Sequence, residues 1–340
     1  MTNPVLVEVW RGALVESVHR GAVAVVDADG ATVLALGDID KPVYPRSAVK
    51  PLQALALVES GAVDLYGFGD EEIALACASH GGEPAHVAVA DRMLGRAGLD
   101  VSGLACGAHW PSHQPSSQVL ARAGLGPSAL HNNCSGKHAG FLCAARAMKL
   151  DHRGYVAPTH PLQREVKAAI DSLAGIAGSP DFCAIDGCSV PTWAVPLRNL
   201  ALAFARFATG RELPPQRSAA AARIRTACSA KPYYVAGTGR FCTQAMEQFG
   251  ERVLVKTGAE GMFCGALPAH GLGIAVKCDD GGARAAEVMM AAVITRLMPL
   301  GAAGTAVLER FANPALRNWN GIEVGRLNPT RMLLPETARN

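Results

Sequence analysis

Little in this chain marks a nucleic-acid binder, a membrane protein or a disulfide-stapled miniprotein. Charged residues make up 18% of the 340, aromatics 5%, and the formal charge is only +3. No five or six basic residues stand together, so neither nucleic acid nor an anionic membrane has an electrostatic footprint to grip. The most apolar late stretch, residues 285–300, carries Glu287 and Arg296 and is too short to span a bilayer. The start, Met1-Thr2-Asn3-Pro4 followed by Val5, Leu6, Val7, Glu8 and Val9, lacks the basic flank and continuous apolar stretch of a secretory signal. It reads as a strand, and a cytoplasmic location is expected. Among the ten cysteines no C-x-x-C occurs, which excludes an ordinary zinc finger. In a reducing compartment these cysteines are thiols rather than disulfides. A small molecule is the expected partner.

Hydrophobic residues at 49% and 36 glycines fit a globular chain rich in tight turns. Apolar runs at 22–26 and 31–36, joined by Asp27-Ala28-Asp29-Gly30, predict a hairpin. A helical pattern follows over 47–59, ending at Gly61, and further helices are expected over 71–76, 86–97, 136–148, 163–173 and 219–228. Strands return at 252–256 and 273–277 before a helix over 283–297. Strands at both ends with helices between predict an α+β fold whose terminal strands share one antiparallel sheet. Soft boundaries near 150–158 and 210–217 lack the length of linkers, so residues 1–340 are expected to form one domain with a helical middle.

Pro45-Arg46-Ser47-Ala48-Val49-Lys50-Pro51 is the most informative stretch. Pro51 has no N–H and fits only the first turn of a helix, which puts Ser47 and Lys50 at i and i+3 on one face. A protonated lysine cannot act as a base, but burial and the positive end of a helix favour the neutral amine. The pattern is loose, and a serine at a helix start is commonly only a cap. Its partner is Lys256-Thr257-Gly258 at the end of a predicted strand, since S-x-x-K with a distant K-T-G is a signature of serine β-lactamases and penicillin-binding proteins. Ser79, in Cys77-Ala78-Ser79-His80-Gly81-Gly82-Glu83, is either a turn cap or a second hydroxyl for Lys256. Cys134 and Cys188 sit in polar, glycine-containing turns that suit a nucleophile or a metal ligand, whereas most other cysteines have apolar neighbours.

Arg46-Ser47-Ala48-Val49-Lys50-Pro51, Cys77-Ala78-Ser79-His80, Asn133-Cys134-Ser135-Gly136-Lys137-His138, Asp186-Gly187-Cys188, Gly237-Thr238-Gly239-Arg240 and Lys256-Thr257-Gly258-Ala259-Glu260 stand in this order. Together they resemble the asparaginase II family of the Rhizobium etli type, related in fold to serine β-lactamases and glutaminases. The resemblance implies a β-lactamase/glutaminase-like fold and two Ser-Lys pairs, Ser47 with Lys50 and Ser79 with Lys256. It also implies a zinc ion held by Cys134, Lys137 and Cys188, where ordinary zinc chemistry would instead select His138. The implied substrate is L-asparagine, with Arg46 and His138 for its α-carboxylate and Asp186 for its α-ammonium, in a homodimer. Ser47 is then expected to attack the side-chain amide with Lys50 as base, and Ser79 and Lys256 to help protonate the departing ammonia. A β-lactam-binding serine acyl enzyme and a non-catalytic zinc-binding regulator are the alternative readings. The segment after about residue 300 carries no matching motif.

Overall fold

The computed structural model describes residues 2–176 and 182–335. Residue 1 and residues 177–181 and 336–340, part of the range expected to form one domain, lie outside the described residues. The centre of the molecule is the strand Leu14–Asp27. Its first half is exposed but for His19, whereas Gly21 to Val26 are buried without interruption. A continuous apolar run of this kind is what a strand needs when both faces of its sheet are covered.

Along one edge of this strand lie Val5–Arg11 and then Thr32–Leu36, the latter closing the expected hairpin with Val23 opposite Leu36. Along the other edge lies Leu272–Cys278, with Ala275 opposite Ala24, followed by Met262–Leu267 and Leu254–Thr257. The ladder is antiparallel throughout. Residues past 300 contribute the helix Ala302–Ala312 and the strands Ala315–Arg317 and Glu323–Pro329, the last pairing with Val5–Arg11 through Trp10 opposite Arg326. The two chain ends therefore share one sheet, in an α+β fold.

One face of the sheet is covered by Leu197–Thr209, the other by Ala283–Leu297 and Ala302–Ala312. The helices Leu55–Glu59, Ala62–Leu65, Asp70–Ala76, Pro84–Arg96 and Pro161–Ala174 pack around Ser135–Ala147, a helix in which Ser135 to Ala145 are all buried. Both soft boundaries are turns between helices, one joining Ser135–Ala147 to Pro161–Ala174 and the other following Leu197–Thr209. Residues on both sides of each turn pack into one hydrophobic cluster.

Gly273 shows how closely these layers meet. A Cβ there would lie 1.9 Å from the Ala201 carbonyl oxygen and 2.5 Å from the Ala205 nitrogen, both backbone atoms of the covering helix. Neither can yield as a side chain would. Gly273→Val should therefore destabilise by about 3 kcal/mol, the upper range for overpacking, as read from urea unfolding midpoints. A loss under about 0.5 kcal/mol, the range of an ordinary surface substitution, would contradict this packing.

Candidate active site

Ser47 sits in a short 3-10 turn, Arg46–Val49, where a continuous helix over 47–59 was expected. The cause is Pro51, which has no N–H to continue the ladder, so the Lys50 N–H closes the turn onto the Ser47 carbonyl instead. Helical pieces follow at Lys50–Gln53 and Leu55–Glu59. Gly258, just beyond the strand Leu254–Thr257, packs against this turn so closely that a Cβ would lie 2.9 Å from the Pro45 oxygen and 3.1 Å from the Ala48 nitrogen. The K-T-G glycine is thus what lets the strand end reach the serine turn.

Lys50 and Lys256 are both buried, and their amines converge on Ser79, with Nζ–Oγ distances of 3.1 Å and 2.8 Å. Lys50 also donates to the Ala78 carbonyl and to Cys134 Sγ at 3.0 Å, and none of its hydrogen bonds goes to Ser47. The lysine expected beside Ser47 thus faces the second serine. Lys256 also donates to the Thr257 carbonyl at 2.7 Å. Burial, reinforced by the positive charge of Lys50, lowers the Lys256 pKa to about 7. That is the range in which an amine can accept a proton at neutral pH.

Above this pair lies a cleft of about 240 Å³ whose walls include Arg46, Ser47, Asn133, Cys134, Asp186 and Ala259. Ser47 faces it. Ser79, buried beneath, does not. Arg46, held in the left-handed region at φ 51°, donates through Nε to Asp186 Oδ1 at 2.7 Å. Burial alone would raise the Asp186 carboxyl, but Lys137 and Arg46 hold it below its ordinary value.

Cys134 and Cys188 form a second focus on the cleft wall. A hydrogen bond from Cys188 and the nearby Lys50 and Lys137 hold the Cys134 thiol well below its ordinary value despite burial. The same shared proton, with burial, pushes Cys188 up. Lys137 Nζ lies 3.0 Å from Cys188 Sγ, and although burial works the other way, the two sulfurs raise its pKa. The two sulfurs, one already inclined to the thiolate, are the soft donors that a divalent metal such as zinc accepts, whereas Lys137, held protonated by them, would have to give up a proton to join.

His138 lies beside this group, in reach of the Cys188 backbone, but its Nδ1 is taken by another partner. It is buried, with Nδ1 2.5 Å from the Tyr155 hydroxyl. Burial first, then Lys137 and Lys50, lower its pKa well below the ordinary value, so the ring is neutral at pH 7.

Other parts of the site left only a faint trace in the sequence. Glu83, buried at the end of the Ser79 turn, accepts from the Thr238 backbone N–H at 2.9 Å and from its hydroxyl at 2.6 Å. It ties the Gly237-Thr238-Gly239 turn to the Ser79 segment, while the Ser79 N–H donates to the Val235 carbonyl at 3.0 Å. His80 Nε2 lies 2.9 Å from Ser135 Oγ, fixing the same segment to the helix that follows Cys134. A buried carboxylate inside a glycine-rich turn was the available signal.

No curated protein matches the chain significantly. Among solved structures, a β-lactamase from Mycobacterium bovis is similar at 18% identity over 86% of this chain and 95% of that one, with a TM-score of 0.38. A protein named Mglu is similar at 19% identity over 84% of this chain and 69% of its own, with a TM-score of 0.35. A LovD6 mutant of simvastatin synthase from Aspergillus terreus is similar at 13% identity over 76% and 86%, with a TM-score of 0.39. The family model described as L-asparaginase II matches residues 7–329, and on that near-complete match the chain belongs to the L-asparaginase II family.

Proposed function

We propose that the protein hydrolyses L-asparagine to L-aspartate and ammonia through a serine acyl-enzyme, as an asparaginase of the Rhizobium etli type. The observation that carries this reading is the Ser79 hydroxyl held between two buried amines, one of them with its pKa lowered to about 7. A nucleophile or relay hydroxyl within about 2.6–3.2 Å of a base is the arrangement covalent acyl transfer requires.

Ser47 faces the cleft and is assigned the attack on the side-chain amide carbon. With substrate bound, the Ser47 hydroxyl is assigned to turn onto Lys50, which takes its proton as Lys50 gives one of its own to Ser79 and Ser79 gives one to neutral Lys256. The Ser47 oxygen bonds to the amide carbon, the C–N bond breaks, and the chain returns the proton to the departing ammonia. Water then attacks the ester carbon and gives a proton to the same chain, the bond from that carbon to Ser47 Oγ breaks, and the chain returns the proton to Ser47 as aspartate leaves. Backbone N–H groups at Ser47 and Ala259, both on the cleft wall, are the proposed donors to the oxyanion. A second reading exchanges the serines, favoured by the direct 2.8 Å contact between Ser79 and Lys256.

Substrate recognition follows from the Arg46–Asp186 pair. An amino-acid zwitterion can enter by replacing each partner with its own opposite charge, its α-carboxylate on Arg46 and its α-ammonium on Asp186. His138, neutral and turned to Tyr155, would act by supporting the Cys188 side of the cleft rather than as a cationic donor. Cys134, Lys137 and Cys188 would hold the zinc ion, which supplies a fixed positive charge beside the cleft. The Lys50 contact with Cys134 at 3.0 Å joins that wall to the proton chain.

A cleft of about 240 Å³ is smaller than the roughly 300 Å³ at which sites for drug-sized ligands begin, which favours a single amino acid over a β-lactam. Ammonia release should accordingly be at least about tenfold faster, as kcat/KM, from L-asparagine than from L-glutamine, since one added methylene displaces the amide carbon and is worth about 1–3 kcal/mol. Equal rates on the two amides would remove the specificity. Turnover of a β-lactam with neither amide touched would favour the acyl-enzyme alternative.

A further inference from the structure

At the end of the sheet where the strand Leu254–Thr257 runs into the cleft wall, three other metal-binding side chains meet. His19 projects from the strand Leu14–Asp27, Cys278 ends the strand Leu272–Cys278, and Asp280 lies in the turn before the helix Ala283–Leu297. One nitrogen, one sulfur and one oxygen from these residues all lie within 4.8 Å of one another. His19 and Cys278 are buried, while the Asp280 side chain is 50% exposed and leaves one side open to water. We propose that His19, Cys278 and Asp280 form a metal site of their own, distinct from Cys134, Lys137 and Cys188, that takes a divalent zinc-like cation with water as fourth ligand.

The donor set is the mixed nitrogen, sulfur and oxygen set that zinc accepts, and an aspartate with a thiolate balances the two charges of the cation. Without metal the three groups satisfy one another. His19 Nδ1 lies 2.6 Å and Cys278 Sγ 2.9 Å from the Asp280 carboxylate, which also accepts from the Gly282 N–H at 2.8 Å. A cation displaces the protons that lie between the ligands. The Cys278 thiol loses its proton to solvent, and the imidazole proton moves from Nδ1 to Nε2, so one proton is released per ion bound. The tautomer change breaks the 3.3 Å bond from Arg284 Nε to His19 Nε2, and Arg284, which is exposed, also faces Glu16. Metal bonds of about 2.0–2.3 Å at tetrahedral angles need ligand atoms roughly 3.3–3.7 Å apart, so the half-exposed Asp280 turn must open slightly.

Such an ion would fasten two strands to the Asp280 turn, and the end of one of these strands holds the segment that leads to the cleft wall. The Cys278 N–H donates to the Gly261 carbonyl at 2.9 Å, and Lys277 Nζ donates to the Glu260 carbonyl at 2.5 Å. Gly261 and Glu260 directly follow Ala259 of the cleft wall.

The test is zinc content per chain after chelator treatment, reconstitution with zinc and desalting. The intact protein should carry one zinc more than His19→Ala or Asp280→Asn. Zinc should raise its melting temperature more than that of either variant. With Co2+ in place of zinc, the chain bearing both Cys134→Ser and Cys188→Ser should keep a thiolate-to-cobalt charge-transfer band that vanishes when Cys278→Ser is added. Equal zinc content in the intact protein, His19→Ala and Asp280→Asn would overturn the site and leave a hydrogen-bonded staple. So would a band that survives Cys278→Ser in that background. The single variants decide the matter even if the multiply substituted chain fails to fold, and neither readout depends on amidase activity.

Discussion

Replacing Lys256 with Met should lower kcat for ammonia release from L-asparagine by about a hundredfold or more, the usual cost of losing a general base. Lys256→Arg should be nearly as inactive, because a guanidinium keeps its proton throughout the accessible pH range. The wild-type rate should rise with pH through about 7, the value to which burial and Lys50 lower the Lys256 amine. The productive form is the neutral one, so activity is present above this pKa and falls about tenfold per pH unit below it. Lys50 supplies part of the shift through its charge. Lys50→Met should therefore move the acid limb of whatever activity survives to higher pH, a change that a purely structural role for Lys50 would not produce. Circular dichroism must show each variant folded. A folded Lys256→Met protein with more than about a tenth of the wild-type rate, or an acid limb insensitive to Lys50, would remove Lys256 as the proton acceptor.

This chemistry could be read from the sequence as a set of residues but not as a set of contacts. Ser47, Lys50, Ser79 and Lys256 stand out because proline and glycine fix their turns, and turn chemistry is local. Which amine meets which hydroxyl is not local. Lys256 reaches Ser79 from 177 positions away, and Lys50 turns from its neighbour in the turn toward carbonyl and thiol acceptors that other segments supply. His138 shows the same limit. Its place four residues after Cys134 suggests a ligand, yet the helix carries it to Tyr155, which no local pattern announces.

The fold divides along similar lines. The helix over 283–297 and the hairpin of strands Leu14–Asp27 and Thr32–Leu36 follow from periodicity and a turn signal. Leu197–Thr209 and Met262–Leu267 were not expected. All six residues of that strand are buried, and the helix is buried over most of its surface. A strand enclosed on both faces loses the alternation by which amphipathic ones are recognised, whereas the helix does keep a less buried stripe through Arg198, Leu202, Arg206 and Thr209. The last strand, Glu323–Pro329, has a sequence with no motif, and its role comes only from pairing with Val5–Arg11.

Which serine carries the acyl group has a direct and large consequence. If Ser47 attacks, incubation with a slowly deacylating ester analogue of asparagine should leave one acyl group on the peptide containing Ser47, as read by mass spectrometry after acid quenching and digestion. Ser47→Ala should abolish the adduct and lower kcat by at least about a thousandfold, since loss of a triad nucleophile leaves only binding and oxyanion stabilisation, with a loss near 2 × 10⁶ in the best-studied protease. Ser79→Ala should behave differently. It removes the hydroxyl that links Lys50 to Lys256, so the adduct should still form on Ser47 but more slowly, by about a hundredfold for the lost relay. Deacylation should slow as well, because the same chain must accept the proton of the attacking water. The position of Ser47 on the cleft wall and of Ser79 beneath it leads to this assignment. An adduct on the Ser79 peptide of the wild-type protein, persisting in Ser47→Ala, would reverse the two roles and make the 2.8 Å contact with Lys256 that of nucleophile and base.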